Sequence, residues 1–343
     1  MLGKIFLFPL AVLYDAITRL RNHLFDSGLK PSFEFETRVI SVGNLAVGGT
    51  GKTPMTEYLI RILCKDFKIS TLSRGYGRRT KGLRFGSNDD TATTLGDEPY
   101  QLYRKFNHQV TVAVGEDRAF AIPNILQQFP ETEIILMDDA FQHRFVKPQL
   151  SILVSEFNNP FYADFVMPFG RLREARKGVA RADLIVFTKC PKEATKEEFD
   201  LRIKESKKYA GNKPIFFASI RYSLPINFGN LLAKVSTQVI LVTGIANANV
   251  FKEYVVKNYK VVKHFEFIDH HRYSINDLNT IHEYLKKYPE ASILTTEKDM
   301  VKLIDKSFAE ILTTAPWFYI PIELFFVEGG DRFENSVRHI IGG

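Results

Sequence analysis

The stretch from Arg38 to Pro54 constrains the fold more than any other part of the chain. Arg38-Val39-Ile40-Ser41-Val42 is a short β-rich run. It feeds Gly43-Asn44-Leu45-Ala46-Val47-Gly48-Gly49-Thr50-Gly51-Lys52-Thr53-Pro54, after which Met55, Leu59, Ile62 and Leu63 recur at helical spacing. Strand, glycine-rich loop, then a helix opening on Gly-Lys-Thr is the P-loop arrangement, built to cradle phosphate. The backbone N–H groups of Gly48, Gly49, Thr50, Gly51 and Lys52 can converge on phosphate oxygens, and the helix N-terminus adds partial positive charge. Lys52 is placed to reach the β- and γ-phosphates and Thr53 to put its hydroxyl on magnesium. Pro54 falls in the first helical turn, where a missing N–H costs little. One position departs from the strict pattern: Ala46 stands where the first glycine is usual, and alanine is the mildest replacement.

A second run supports this reading. Glu133-Ile134-Ile135-Leu136-Met137 has the makings of a buried strand and ends in Asp138-Asp139. Carboxylates at that end of a strand hold magnesium or its water in P-loop enzymes. Further β-rich runs at 68–73, 110–114, 150–155 and 183–188 alternate with helical patterns, which predicts an α/β fold with a mostly parallel sheet. The βαβ rhythm resumes after about residue 226: Val239–Val242, a helical Ala248–Val256, Val261–Phe265, a helix around Leu278–Tyr288, and Ser292–Leu294. The expected division is an N-terminal helix over 1–30, a P-loop core over 31–225 and a smaller C-terminal α/β domain over 226–343. No GxGxxG follows a strand and no GxSxG occurs, while His282-Glu283 lacks the second histidine of a zinc protease.

Composition excludes other classes. With 343 residues, 45% hydrophobic and 25% charged, the chain can bury a full core, so a disordered tail or disulfide miniprotein is ruled out. Cys64 and Cys190 are too sparse for a zinc knuckle or redox pair. The 46 basic against 39 acidic residues give +7, which suits an acidic partner. Two basic tracts stand out: Arg74, Arg78, Arg79, Lys81 and Arg84 on glycine-rich sequence, and Arg171, Arg173, Arg176, Lys177 and Arg181. Beside a P-loop such arginines suit phosphate clamping; a solvated surface is the plainer alternative. No nucleic-acid-binding signature accompanies them, so no nucleic-acid partner is expected.

At the N-terminus, Leu2, Phe6, Leu10, Leu13, Ile17, Leu20 and Leu24 form a helical stripe. The apolar run from Ile5 to Tyr14 is too short to span a bilayer, and no small-residue cleavage site follows it. An amphipathic helix on a membrane surface, with Arg19, Arg21 and Lys30 toward anionic headgroups, is one reading. A first helix packed on its own domain is the other.

Taken in order, VGNLAVGGTGKTP at 42–54, SRGYGR at 73–78, GDEP at 96–99, DDAFQHR at 138–144, GRLRE at 170–174, FIDHHRYS at 267–274 and TTEKDMVKL at 295–303 resemble the tetraacyldisaccharide 4'-kinase family, the lipid A 4'-kinases of Gram-negative bacteria. The resemblance covers nearly the whole chain. It implies a P-loop kinase core with a smaller α/β domain, ATP and Mg2+ as cofactors, and transfer of the γ-phosphoryl group to the 4'-hydroxyl of a tetraacyldisaccharide 1-phosphate. It further implies an acylated phosphodisaccharide as partner and a peripheral position on the cytoplasmic face of the inner membrane. Asp97 of GDEP, paired with His270, is implied as proton acceptor beside Lys52, although adjacent His271 leaves the choice of histidine open. Glu98, Asp138 and Asp139 are assigned with Thr53 to magnesium and its waters, and Arg74, His143 and Arg171 to substrate contacts. If Asp97 and His270 cooperate across the boundary at 225, the site forms between domains. The rival function is a membrane-associated P-loop switch ATPase or GTPase. Against it, Val47 and Gly48 show that the loop lacks the signature lysine of membrane-partitioning ATPases. Thr188-Lys189-Cys190-Pro191 likewise lacks the aspartate of a guanine-reading NKxD.

Overall fold

The computed structural model describes residues 7–106 and 108–342. Its strands are β1 (Arg38–Gly43), β2 (Ile69–Ser73), β3 (Arg84–Phe85), β4 (Val110–Val114), β5 (Ile134–Asp138), β6 (Leu150–Glu156) and β7 (Leu184–Thr188). Then follow β8 (Ile215–Tyr222), β9 (Ile226–Asn227), β10 (Gln238–Thr243), β11 (Lys260–Glu266), β12 (Ser292–Thr296), β13 (Trp317–Ile320) and β14 (Ile322–Glu328). The helices used below are α1 (Phe8–Asp26), α2 (Lys52–Leu63), α3 (Ala92–Leu95), α4 (Asp97–Phe106) and α5 (Arg118–Gln128). They continue with α6 (Lys196–Ala210), α7 (Asn249–Asn258), α8 (Ile275–Leu285), α9 (Glu297–Leu303) and α10 (Gly330–Gly342).

These elements form two compact units. The first comprises the chain up to Arg74, His108–Ile220 and the chain from Leu324 onward; the second comprises Gly75–Asn107 and Arg221–Glu323. The division departs from a single cut at residue 225 in two places, each for a packing reason. Helix α4 packs against α9, so the excursion after Arg74 belongs with the second unit. Helix α10 buries Phe333 against Phe216 and Tyr58, with Tyr58 donating to Glu334 at 2.7 Å, so the C-terminus rejoins the first.

In the first unit the sheet runs β14-β8-β7-β6-β1-β5-β2-β4, with parallel pairing from β8 through β4. Parallel strands covered on both faces read as continuous apolar runs. Ile134 to Met137 and Val39, Ile40 and Val42 accordingly lie fully buried. Register pairs Val42 of β1 with Asp138 of β5, which sets the start of the glycine loop beside that aspartate, at the carboxyl ends where open α/β sheets bind ligands. Phe157, Phe187 and Phe217 fill the core on the β6–β8 side.

Helix α1 docks on this unit through its less apolar face. Ala11, Thr18 and Phe25 are buried, Tyr14 donates to the Arg173 carbonyl at 2.8 Å, and Asn22 donates to Glu174 at 2.6 Å. The stripe faces outward: Leu10, Leu13, Ile17 and Leu20 are 54–61% exposed, while Leu24 is half-buried. Leu2 and Phe6 of the expected stripe lie outside the described residues. No helix among the described residues is long and apolar enough to cross a membrane.

In the second unit β11-β10-β12-β13 are parallel and β9 runs antiparallel on β13. Trp317, Ile240, Ile293 and Leu278 anchor its core. Ser274 opens α8 with a capping box, its hydroxyl accepting from Asp277 N–H at 3.2 Å, which fixes where the preceding histidine-bearing loop must end.

Candidate active site

The glycine loop leaves β1 and turns into α2 with Gly48 and Gly51 at φ +106° and +89°. A side chain at Gly51 would be strained by that dihedral and pressed to 3.3 Å from Thr188. Thr188 at the end of β7 donates to the Thr50 carbonyl at 2.7 Å, and Asn44 donates to Ala46 O and Thr50 Oγ1 at 2.6 and 2.7 Å. The loop is therefore held from beneath. The segment carrying GRLRE ties it from the side, with Val47 N–H on Arg171 O at 2.8 Å and Arg173 N–H on Leu45 O at 2.7 Å. No side chain caps the start of α2, so its first amides are presented as a phosphate cradle requires.

Lys52 is only 9% exposed and its Nζ lies 3.7 Å from Asp139 Oδ1. Arg173 grips the same carboxylate with both terminal nitrogens, at 2.8 and 3.1 Å. Burial pushes the Asp139 carboxyl up, but Lys52 and Arg173 outweigh it and hold the group below the usual carboxylate range. Asp139 sits at φ +48°, a left-handed conformation that costs a non-glycine residue about 1–3 kcal/mol and clusters at functional sites. Asp138 is buried, accepting from Thr56 Oγ1 at 3.2 Å and from Asp139 N–H at 3.0 Å. Thr53 lies half-buried in the first turn of α2. Among the described residues no cluster of three His, Cys, Asp or Glu could hold a metal by itself. That donor set fits magnesium, which takes one or two protein ligands and completes its shell with substrate phosphates and water.

Arginine placement is less legible from sequence. Arg118, at the start of α5, is buried, and burial and then the Arg74 charge bring its pKa down to about 10. Arg74 itself is exposed. His143 is half-buried with Nε2 unpartnered, and burial followed by Arg118 pushes it down to about 4, so the ring is neutral. Arg171 is engaged by Asp164, Nε to Oδ2 at 2.8 Å, with Glu156 at 3.9 Å. Glu174 is a buried hub: besides Asn22 it accepts from Gln142 at 3.0 Å and Arg181 at 2.8 Å, and Gln142 also donates to Asn44 O at 2.8 Å. Arg118, Arg173 and Glu174 also shape this geometry, and the local sequence does not mark their individual roles. Arg118 is a lone arginine after two acids, and the other two sit in a tract where charge spacing does not rank its members.

The second unit brings Asp97 and His270 together, Nδ1 to Oδ2 at 2.9 Å. Asp97 opens α4, and His270 occupies a left-handed φ of +56° between β11 and α8. Tyr76 lies against the imidazole with ring centres 5.5 Å apart. Adjacent His271 points elsewhere: it stacks on Phe267 at 4.3 Å and meets Asp277 at 3.2 Å. Glu98 follows Asp97 with an oxygen 3.5 Å from Lys298.

A family model described as tetraacyldisaccharide-1-P 4'-kinase matches residues 3–341. A tetraacyldisaccharide 4'-kinase of Flavobacterium johnsoniae is 41% identical over 340 residues, spanning 98% of this chain and 96% of its own. One from Cytophaga hutchinsonii is 37% identical over 337 residues, spanning 98% and 95%. Among solved structures, LpxK from Aquifex aeolicus, crystallised in complex with ATP, superimposes with a TM-score of 0.76 at 28% identity, covering 99% of this chain and 100% of that one.

Proposed function

This chain belongs to the tetraacyldisaccharide-1-P 4'-kinase family, and we propose how its residues divide that family's reaction. It is an ATP-dependent kinase that phosphorylates the 4'-hydroxyl of tetraacyldisaccharide 1-phosphate in lipid A biosynthesis. The observation that carries the assignment of roles is the Asp97–His270 pair, because transfer to an alcohol needs a positioned group to take up the hydroxyl proton.

In this assignment the amides of Gly48 to Lys52 hold the phosphate chain, and Lys52 neutralises charge as the γ-phosphoryl group moves. Thr53, Asp138 and Asp139, with Glu98, would hold magnesium and its waters, and the ion would supply positive charge that offsets the charge on the transferring phosphate. Arg173 and Lys52 together keep Asp139 ionised. The Asp97 carboxylate accepts the 4'-hydroxyl proton, and His270 orients it through Nδ1 and helps to carry the proton away. Arg74, His143 and Arg171 are assigned to the phosphorylated headgroup. The outward apolar stripe of α1 supports peripheral docking on the inner membrane, at its cytoplasmic face, where an acylated substrate is reached without leaving the bilayer.

The test is transfer of labelled γ-phosphate from ATP to tetraacyldisaccharide 1-phosphate in mixed micelles, with Asp97→Asn alongside. The expected outcome is a product with one added phosphate at the 4' position, formed far more slowly by the variant. Undiminished transfer by Asp97→Asn would overturn the proton-acceptor assignment.

A further inference from the structure

A third segment, TTEKDMVKL, contacts the elements that carry Asp97 and His270, and no role in the reaction has been assigned to it. Its helix α9 turns toward two neighbours at once. On one side consecutive residues hold α4: Glu297, itself buried, pairs with Lys105 at 2.9 Å, and Lys298 approaches Glu98 at 3.5 Å. These two ties grip the helix that Asp97 opens, near its start and near its end.

On the other side α9 holds Gly244, the residue that follows β10, against which Tyr273 and His271 of the His270 loop pack. Asp299 is completely buried, receiving Thr296 Oγ1 at 2.7 Å and the Gly244 N–H at 3.0 Å. Its other oxygen lies 2.6 Å from the buried ammonium of Lys302, which donates to Gly244 O at 3.2 Å and sits 5.4 Å over the Tyr273 ring. A Cβ at Gly244 would be crowded, lying 3.0 Å from Asp299, 3.2 Å from the Tyr273 hydroxyl and 3.3 Å from His271 Cβ. Phe267 N–H closes the other end of the loop on Thr243 O at 2.7 Å. The His270 loop is thus pinned on both sides of a left-handed residue that would not hold its conformation unaided.

We propose that α9 is the positioning element of the proton-accepting pair, with Glu297 and Lys105 setting Asp97 and with Asp299 and Lys302 setting His270. These are positioning residues; none touches the reacting atoms. A displacement of about 1 Å in such a pair costs a reaction about 100-fold, so the brace is worth a measurable part of the rate. The inference rests on the reading of Asp97 and His270 as that pair.

The experiment uses the full chain in the micelle transfer assay with Lys105→Met, Glu297→Gln and Asp97→Asn, singly and combined. Lys105→Met removes one of the two α4 ties from a partly exposed position and covers the case that Glu297→Gln fails to fold. The expected result is a 10- to 100-fold lower kcat with KM for ATP and lipid little changed. The Lys105→Met loss should vanish on an Asp97→Asn background, since a brace has nothing left to position. The charge-reversed pair Lys105→Glu with Glu297→Lys should recover part of the rate. Nitrogen-15 spectra of labelled histidine should show the His270 signal moving in Lys105→Met, assigned by its absence in His270→Gln. Unchanged kcat in Lys105→Met, or losses that multiply on the Asp97→Asn background, would overturn the inference while leaving the pair intact. Normal rates in Asp97→Asn would overturn both.

Discussion

Arg173 holds Asp139 with two parallel hydrogen bonds at 2.8 and 3.1 Å, while Lys52 approaches the same carboxylate at 3.7 Å. A bidentate guanidinium fixes direction as well as charge, and lysine cannot reproduce it. Arg173→Lys should therefore lower kcat by about 10- to 100-fold with ATP binding largely retained. The sign of its pH effect follows from the shift. Asp139 is held ionised below its ordinary range, so weakening one cation raises its pKa, and the acid limb of the rate profile should move to higher pH. A profile that stays in place would mean that Asp139 does not need its charge for turnover.

Lys52→Ala removes the cation that Asp139 faces and that the phosphoryl group would meet. Loss of one such stabilising group costs about 3–4 kcal/mol, or about 100- to 1,000-fold in rate. Near-normal transfer of labelled phosphate would remove the P-loop lysine from the mechanism.

Much of this was legible in advance, and the limits have physical causes. The run from Arg38 to Thr53 combines a buried strand, glycines at left-handed positions and the buried Lys52, so local sequence dictates local structure there. Runs such as Val110–Val114 and Leu150–Glu156 have boundaries set by burial on both faces, which apolar continuity reveals. The unit to which Gly75–Asn107 belongs depends on Lys105 meeting Glu297, a contact 192 residues apart that no local pattern encodes. Arg118 is similarly hidden, because its importance lies in burial beside Arg74 rather than in any run of charge. The helical stripe of α1 showed that one face is apolar; only the buried Ala11, Thr18 and Phe25 showed which way it turns.

His143 sets an acid-side stability limit. Its pKa falls from 6.5 to about 4 on folding, chiefly through burial, so the unfolded chain binds more protons between those values. Its contribution is complete above about pH 6.5 and is lost progressively as pH falls toward 4. Thermal midpoints measured across that window should decline, and His143→Asn should flatten the decline. An equal slope in the variant would assign it to other groups.

The outward stripe of α1 allows the proposed membrane docking to be tested apart from folding. Leu13, Ile17 and Leu20 are mostly exposed, whereas the helix is fastened by Tyr14, Asn22 and Phe25 on its other face. Changing the three exposed residues to serine should leave the thermal midpoint nearly unchanged, because little apolar area leaves the core. Each such side chain gains about 1.5–3 kcal/mol when fully withdrawn from water, so the triple variant should bind anionic vesicles at least about 100-fold more weakly. The apparent KM for the acylated substrate should rise in vesicles and stay constant in a dispersed assay with a short-chain analogue. Sedimentation with vesicles that matches the unaltered chain would leave α1 a purely structural helix, and a fallen midpoint would place the stripe against protein rather than lipid.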